Sequence, residues 1–178
     1  INEEYLYYKG SSEKKFKDIE FNGEKIFSRE FTEEENRYLN SLGERRLTKR
    51  PDVLLFPEEG KCIIIEFKAP DVNVSEHLTQ IDFYANLLLN YSNPKYGIKQ
   101  FYGYLIGESI EDRDVRGRVS RFEISEHFNY WFRPSEKVQG FDGTPNGSIY
   151  TEIIKFSSIL SRAQARNDMF IKKLEMQS

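Results

Sequence analysis

Apolar residues run together in two neighbouring stretches separated by a turn. Arg50 to Phe56 reads as a strand, Pro57-Glu58-Glu59-Gly60 as a turn, and the isoleucine-rich Lys61 to Lys68 as a second strand, which together predict a β-hairpin. Pro70 ends the second strand. From Ser75 to about Asn90 the period changes to that of a helix, with Leu78, Ile81, Ala85 and Leu88 on one face. Beyond the Asn93-Pro94 break, Gln100 to Gly107, Gly117 to Ile124, Phe128 to Phe132 and Ser148 to Phe156 read as further strands. Ser157 or Ser158 is the expected cap of a last helix whose Leu160, Ala163, Phe170 and Leu174 would face the core. Upstream, Tyr5 to Tyr8 suggests a short strand, and Asn22-Gly23 a turn between two more. Thr32 with Glu35 three residues on forms a capping box, opening a short helix with Phe31, Tyr38, Leu39 and Leu42 on its apolar face and Gly43 as its stop. The pattern predicts a mixed α/β fold in a single domain, residues 1–178, without repeats.

Composition narrows the function classes. At 178 residues the chain can bury one core but not two comfortable ones, and 38% hydrophobic against 31% charged residues fits a soluble globular protein. The aromatic share of 15% is assigned first to the core. A net charge of −3 argues against a uniformly basic nucleic-acid-binding surface, though not against a local patch such as Arg45, Arg46, Lys49 and Arg50. The single cysteine, Cys62, excludes an internal disulfide and a cysteine zinc cage, which fits a reducing, cytoplasmic setting. No apolar run approaches the length needed to cross a bilayer, so no membrane partner is expected. The start at Ile1 suggests a piece of a longer protein.

The hairpin carries the chemistry. Asp52, Glu66 and Lys68 lie in or beside strongly apolar strands, where isolated charges are costly unless paired or bound to an ion. Side chains alternate along a strand, so Glu66 and Lys68 share a face. Asp52 joins them only in one register. If Phe56 faced Lys61 across a four-residue loop, Asp52 would share the face of Ile65, so the site requires an odd loop or a bulge. Two carboxylates on adjacent strands offer hard oxygen ligands suited to Mg²⁺ or Mn²⁺, and a neighbouring lysine can orient or deprotonate an attacking water.

Pro51-Asp52 followed by Glu66-x-Lys68 on the next strand resembles the signature of the PD-(D/E)xK nuclease superfamily, the likeness extending over residues 31–90. The resemblance implies a restriction-endonuclease-like mixed β-sheet flanked by α-helices and a Mg²⁺-dependent deoxyribonuclease. It implies Asp52 and Glu66 as metal ligands, the Phe67 carbonyl as a further ligand and Lys68 beside the attacking water. An acidic residue on the preceding helix, Glu35 or the neighbouring Glu34, is the accessory metal ligand on this likeness, although Glu35 can equally do no more than close its capping box. Gln80 and Tyr84, one helical turn apart, match a Gln and Tyr found in a subset of the family, with Gln80 counted in the catalytic set and Tyr84 expected more as a helix flank. Restriction, repair or anti-phage defence, a DNA substrate and a homodimer or multidomain setting follow from the likeness alone.

Other polar residues carry less. His77 and His127 lack metal-spaced partners, and neither a GxSxG elbow nor a P-loop occurs. Arg162, Arg166 and Asn167 on the last helix are expected in solvent more than on a phosphate backbone. Two other readings are a nuclease-like module that binds nucleic acid or assembles a larger protein without cutting, and a plain Glu66–Lys68 ion pair with Asp52 on the opposite face.

Overall fold

In a computed structural model of the chain, residues 6–9, 19–21, 24–27, 32, 33, 37, 51–56, 60–113, 115, 121–125, 128–141 and 143–175 are described. Their strands are β1 (Leu6–Lys9), β2 (Glu20–Phe21), β3 (Glu24–Lys25), β4 (Val53–Phe56), β5 (Lys61–Phe67), β6 (Gln100–Gly107), β7 (Glu123–Ser125), β8 (Tyr130–Val138) and β9 (Gly147–Lys155). The α-helices whose bounds lie among the described residues are α1 (Leu78–Tyr91), entered through a 3₁₀ turn at Val74–His77, and α2 (Phe156–Glu175). Seven strands form one mixed sheet in the order β1-β4-β5-β6-β9-β8-β7, while β2 and β3 pair separately. The α/β class and mixed sheet with helices expected from the sequence are therefore present.

The two central pairings, β5 with β6 and β6 with β9, are parallel, and the outer ones are antiparallel. A parallel neighbour requires a crossover, and α1 supplies it between β5 and β6. Its Leu78, Ile81, Ala85 and Leu88 are all buried. They pack on the sheet face that carries Leu54, Cys62, Ile64, Phe101, Leu105, Ile149 and Ile153. Helix and sheet meet closely at Gly103, where a Cβ would lie 2.3 Å from Ile81 Cγ2. Arg133 on β8 ties the helix down by a bidentate ion pair to Asp82 and a 3.0 Å hydrogen bond to Thr151 Oγ1.

The hairpin register is the one the three charged residues need. Val53 faces Ile65, Leu54 faces Ile64 and Leu55 faces Ile63. Continued outward, this pairs Phe56 with Cys62 across an odd number of residues, and Asp52 with Glu66. Gly60 adopts φ 70°, a conformation at ease only in glycine, and the Gly97 carbonyl oxygen lies 2.4 Å from where its Cβ would be.

Several expectations need correction. The first hairpin strand begins at Val53, not Arg50, and Asp52 stands in a bend just outside it. The Gly117–Ile124 strand is reduced to Glu123–Ser125 among the described residues, whereas β8 runs past Phe132 to Val138. The last helix starts at Phe156, so neither Ser157 nor Ser158 caps it. Instead Glu108 accepts the Ser157 N–H at 3.0 Å and its hydroxyl at 2.8 Å. Leu160 and Phe170 do not reach the core, being 62% and 63% exposed, because α2 touches the sheet chiefly near the end of β9. Most of the expected helix around residues 32–43, including Glu34 and Glu35, lies outside the described residues.

Candidate active site

Chain direction gathers the polar residues at one edge of the sheet. β5 and β6 run parallel, so Glu66, Phe67 and Lys68 end beside Glu108. β4 runs the other way, which brings its first residues and Asp52 to the same edge. The crossover then starts α1 above that edge, putting Gln80 in its first turn. Open α/β sheets commonly bind ligands outside the carboxyl ends of their parallel strands, and the carboxylates cluster at this one.

Glu66 and Lys68 point to the helix side, and Lys68 Nζ donates to Glu66 Oε1 at 2.7 Å. Gln80 joins both, accepting from Lys68 Nζ at 2.9 Å and donating to Glu66 Oε1 at 2.8 Å. Its amide also meets the hydroxyl of fully buried Tyr84 at 2.6 Å. The structure thus draws Tyr84, one turn beyond Gln80, further into the cluster than its sequence position suggested. Its complete burial is the property the spacing could not reveal.

Asp52 is tied to the same strand by a different contact. In β5 the odd residues direct their backbone groups toward β4, and the even ones toward β6, as Lys68 N–H does to Ile106 O at 2.8 Å. Phe67 therefore points its N–H and carbonyl past the start of β4, and Asp52 Oδ2 accepts that N–H at 2.7 Å. By the same alternation the Phe67 carbonyl points to the β4 side.

Glu66 is only 5% exposed, and its Oε2 is buried without a hydrogen-bond partner. Burial pushes its carboxyl above the ordinary range; the hydrogen bond and charge of Lys68 and the Gln80 amide oppose this, while the Asp52 charge adds to it. An orphaned buried carboxylate oxygen facing a second carboxylate is an arrangement a cation would satisfy. Among the described residues no three His, Cys, Asp or Glu side chains gather as a cage. The donors at hand are the Asp52 and Glu66 carboxylates and the Phe67 carbonyl. That all-oxygen set fits Mg²⁺ or Mn²⁺, which retain several waters.

Other candidates separate from this cluster. His127 lies outside the described residues, and His77 ends the 3₁₀ turn before α1. Arg162 is exposed and packs over the Phe128 and Tyr130 rings at 5.2 and 5.4 Å. Arg166 and Asn167 are exposed as well. Cys62 is fully buried, and burial pushes its thiol well above the ordinary range, which removes it as a nucleophile. A cleft of about 380 Å³ at the opposite end of α1, lined by Asn90, Asn93, Lys99 and Phe141 among others, has no carboxylate among the described residues that line it. A larger groove of about 790 Å³ adjoins the cluster, with Asp52, Lys68 and Glu108 beside Phe67, Phe156 and Leu160. Sequence reasoning assigns none of its wall of Glu108, Phe156 and Leu160 to a site, and gives Leu160 to the core. The signal available was their position at the end of a predicted strand, just after one, or one helical turn beyond it. Comparison of the chain with protein-family models, curated proteins and solved structures finds no match to any of them.

Proposed function

We propose that the chain is a divalent-metal-dependent nuclease that hydrolyses DNA phosphodiester bonds. One observation carries this reading: the hairpin register sets Asp52 opposite Glu66, whose free buried oxygen lies in the same cluster as Lys68 and Gln80. Asp52, Glu66 and the Phe67 carbonyl would hold Mg²⁺ or Mn²⁺, which when bound supplies an acidified water and neutralises charge on the phosphate. The remaining work belongs to the chain. Lys68 uses two of its donors on Glu66 and Gln80, which fixes its ammonium and leaves a third proton for the phosphate or attacking water. Gln80 holds Lys68 and Glu66 in one geometry, and Tyr84 holds Gln80 from beneath. Asp52 keeps its position by binding the Phe67 N–H, so the two strands stay in step at the site.

The test is plasmid and linear DNA cleavage with Mg²⁺ or Mn²⁺ by wild type, Asp52→Asn, Glu66→Gln and Lys68→Ala. Asparagine retains an acceptor for the Phe67 N–H, so loss of cutting in Asp52→Asn reports the missing charge. Cutting by the wild type and loss of about 100-fold or more in each variant is expected, on the scale of removing one preorganised stabilising group. Mn²⁺ binding without cutting would assign the chain to the binding-module alternative; equal cutting in all four proteins would dismiss the site.

A further inference from the structure

The groove beside the carboxylates has a chemistry that phosphate hydrolysis alone does not require. Phe67 sits between Glu66 and Lys68 but points to the opposite sheet face, where it is 45% exposed. A large side chain left this open at a strand end is unsupported by core packing. Phe156, the first residue of α2, lies nearly parallel to it, with ring centroids 6.3 Å apart and planes at 7°. Leu160 extends the same wall one helical turn on, and Asp52 and Lys68 line the same groove.

We propose that Phe67 and Phe156, extended by Leu160, form a stacking platform for an unpaired nucleobase of the strand whose phosphate lies at Asp52 and Lys68. This rests on the nuclease reading and deepens it, naming single-stranded DNA or an opened duplex end as the substrate class. Three features select this occupant. Flat, parallel, half-open rings match the face of any base, giving sequence-tolerant binding. The groove is continuous with the phosphate-handling residues, so one nucleotide can span both. Glu108 on the rim would repel a second phosphate backbone, which disfavours an intact duplex lying across the groove and admits a neutral base. Glu108 is itself fixed by its two bonds from Ser157 at the start of α2, which hold the carboxyl below its ordinary range.

The test is fluorescence anisotropy with a labelled oligothymidylate, in EDTA at low ionic strength so that nothing is cut. The same oligonucleotide with abasic sites and a blunt duplex are the comparisons. Wild type should prefer the single strand to the duplex and to the abasic strand. Phe156→Ala and Phe67→Leu should each weaken single-strand binding by about 10-fold, within the range for loss of one base–aromatic stack. Their effect should vanish on the abasic strand, and Phe156→Trp, which keeps a ring, should restore binding and report it by fluorescence quenching. Unchanged affinity in Phe156→Ala, equal weakening on the abasic strand, or preference for the duplex would each overturn the platform. The two readings fail separately. Cutting by the wild type with no base-dependent binding leaves the nuclease and removes the platform, whereas base-dependent binding without cutting does the reverse.

Discussion

Replacing Gln80 tests the polar cluster most directly. Its amide makes one bond to each of Glu66, Lys68 and Tyr84, at 2.8, 2.9 and 2.6 Å. Two of those partners are charged side chains, and hydrogen bonds to charged groups contribute about 1.5–3 kcal/mol each. Because both belong to one network, their effects overlap, and Gln80→Ala is expected to cost about 4 kcal/mol in all. For a domain of this size that lowers Tm by roughly 8–16 °C. Gln80→Met, of similar volume but without the amide, separates packing from hydrogen bonding. It should recover only the small part due to the cavity, because Lys68 and Glu66 stay unbridged. The assay is urea denaturation in EDTA, followed by circular dichroism, with DNA cleavage in Mg²⁺ measured alongside. A Gln80→Ala stability within about 1 kcal/mol of wild type, the ordinary size of a single neutral hydrogen bond, would refute the shared network.

The remaining predictions concern metal, helix and strand. Because burial raises the Glu66 carboxyl, its contribution favours the metal-free fold below the ordinary value of 4.5 and is lost as pH rises through the elevated one. Saturating Mn²⁺ should therefore raise Tm more at pH 8 than at pH 5, since the proton competes with the ion; equal shifts would contradict it. Asp82→Ala leaves the buried Arg133, whose side chain is 7% exposed against 36% for Asp82, without its carboxylate and should cost about 3–5 kcal/mol. Arg133→Met frees Asp82 to hydrate and should cost about 2 kcal/mol or less; equal costs in chemical denaturation would remove the asymmetry. At Gly107 an added Cβ would lie 2.4 Å from Val74 Cγ2 and 3.3 Å from Lys68 Cβ. Gly107→Ala should thus destabilise by about 1–3 kcal/mol and reduce cleavage, where an unobstructed strand glycine would gain stability from alanine.

How much was legible depended on whether neighbours in sequence decide the outcome. β5, β6, β9 and α1 could be read because period and propensity agree there, and the face shared by Glu66 and Lys68 follows from alternation alone. Asp52 was legible only conditionally, since its face depends on loop parity. Pro134 and the charged residues after it resemble a loop, so the sequence predicts a strand that stops at Phe132. The structure accommodates them at a register shift between Arg133 and Glu136, where β7 no longer flanks the strand, so the missing proline N–H breaks no ladder. The apolar residues of α2 recur at helical spacing, which predicts a buried face, yet periodicity does not say whether anything covers that face. The Arg133–Asp82 tie and the Phe67–Phe156 stack join residues distant in the chain. No local pattern announces them.

The hairpin register also restricts how this chain can change. Sliding the β4–β5 pairing by one residue would turn Leu54 outward, bring Val53 and Leu55 inward and rotate Asp52 away from Glu66. A slide of two keeps every face but sets Asp52 opposite Ile64 or Lys68 in place of Glu66. One register alone therefore keeps both the buried face and the Asp52–Glu66 pairing, and no slide of this hairpin preserves the two together.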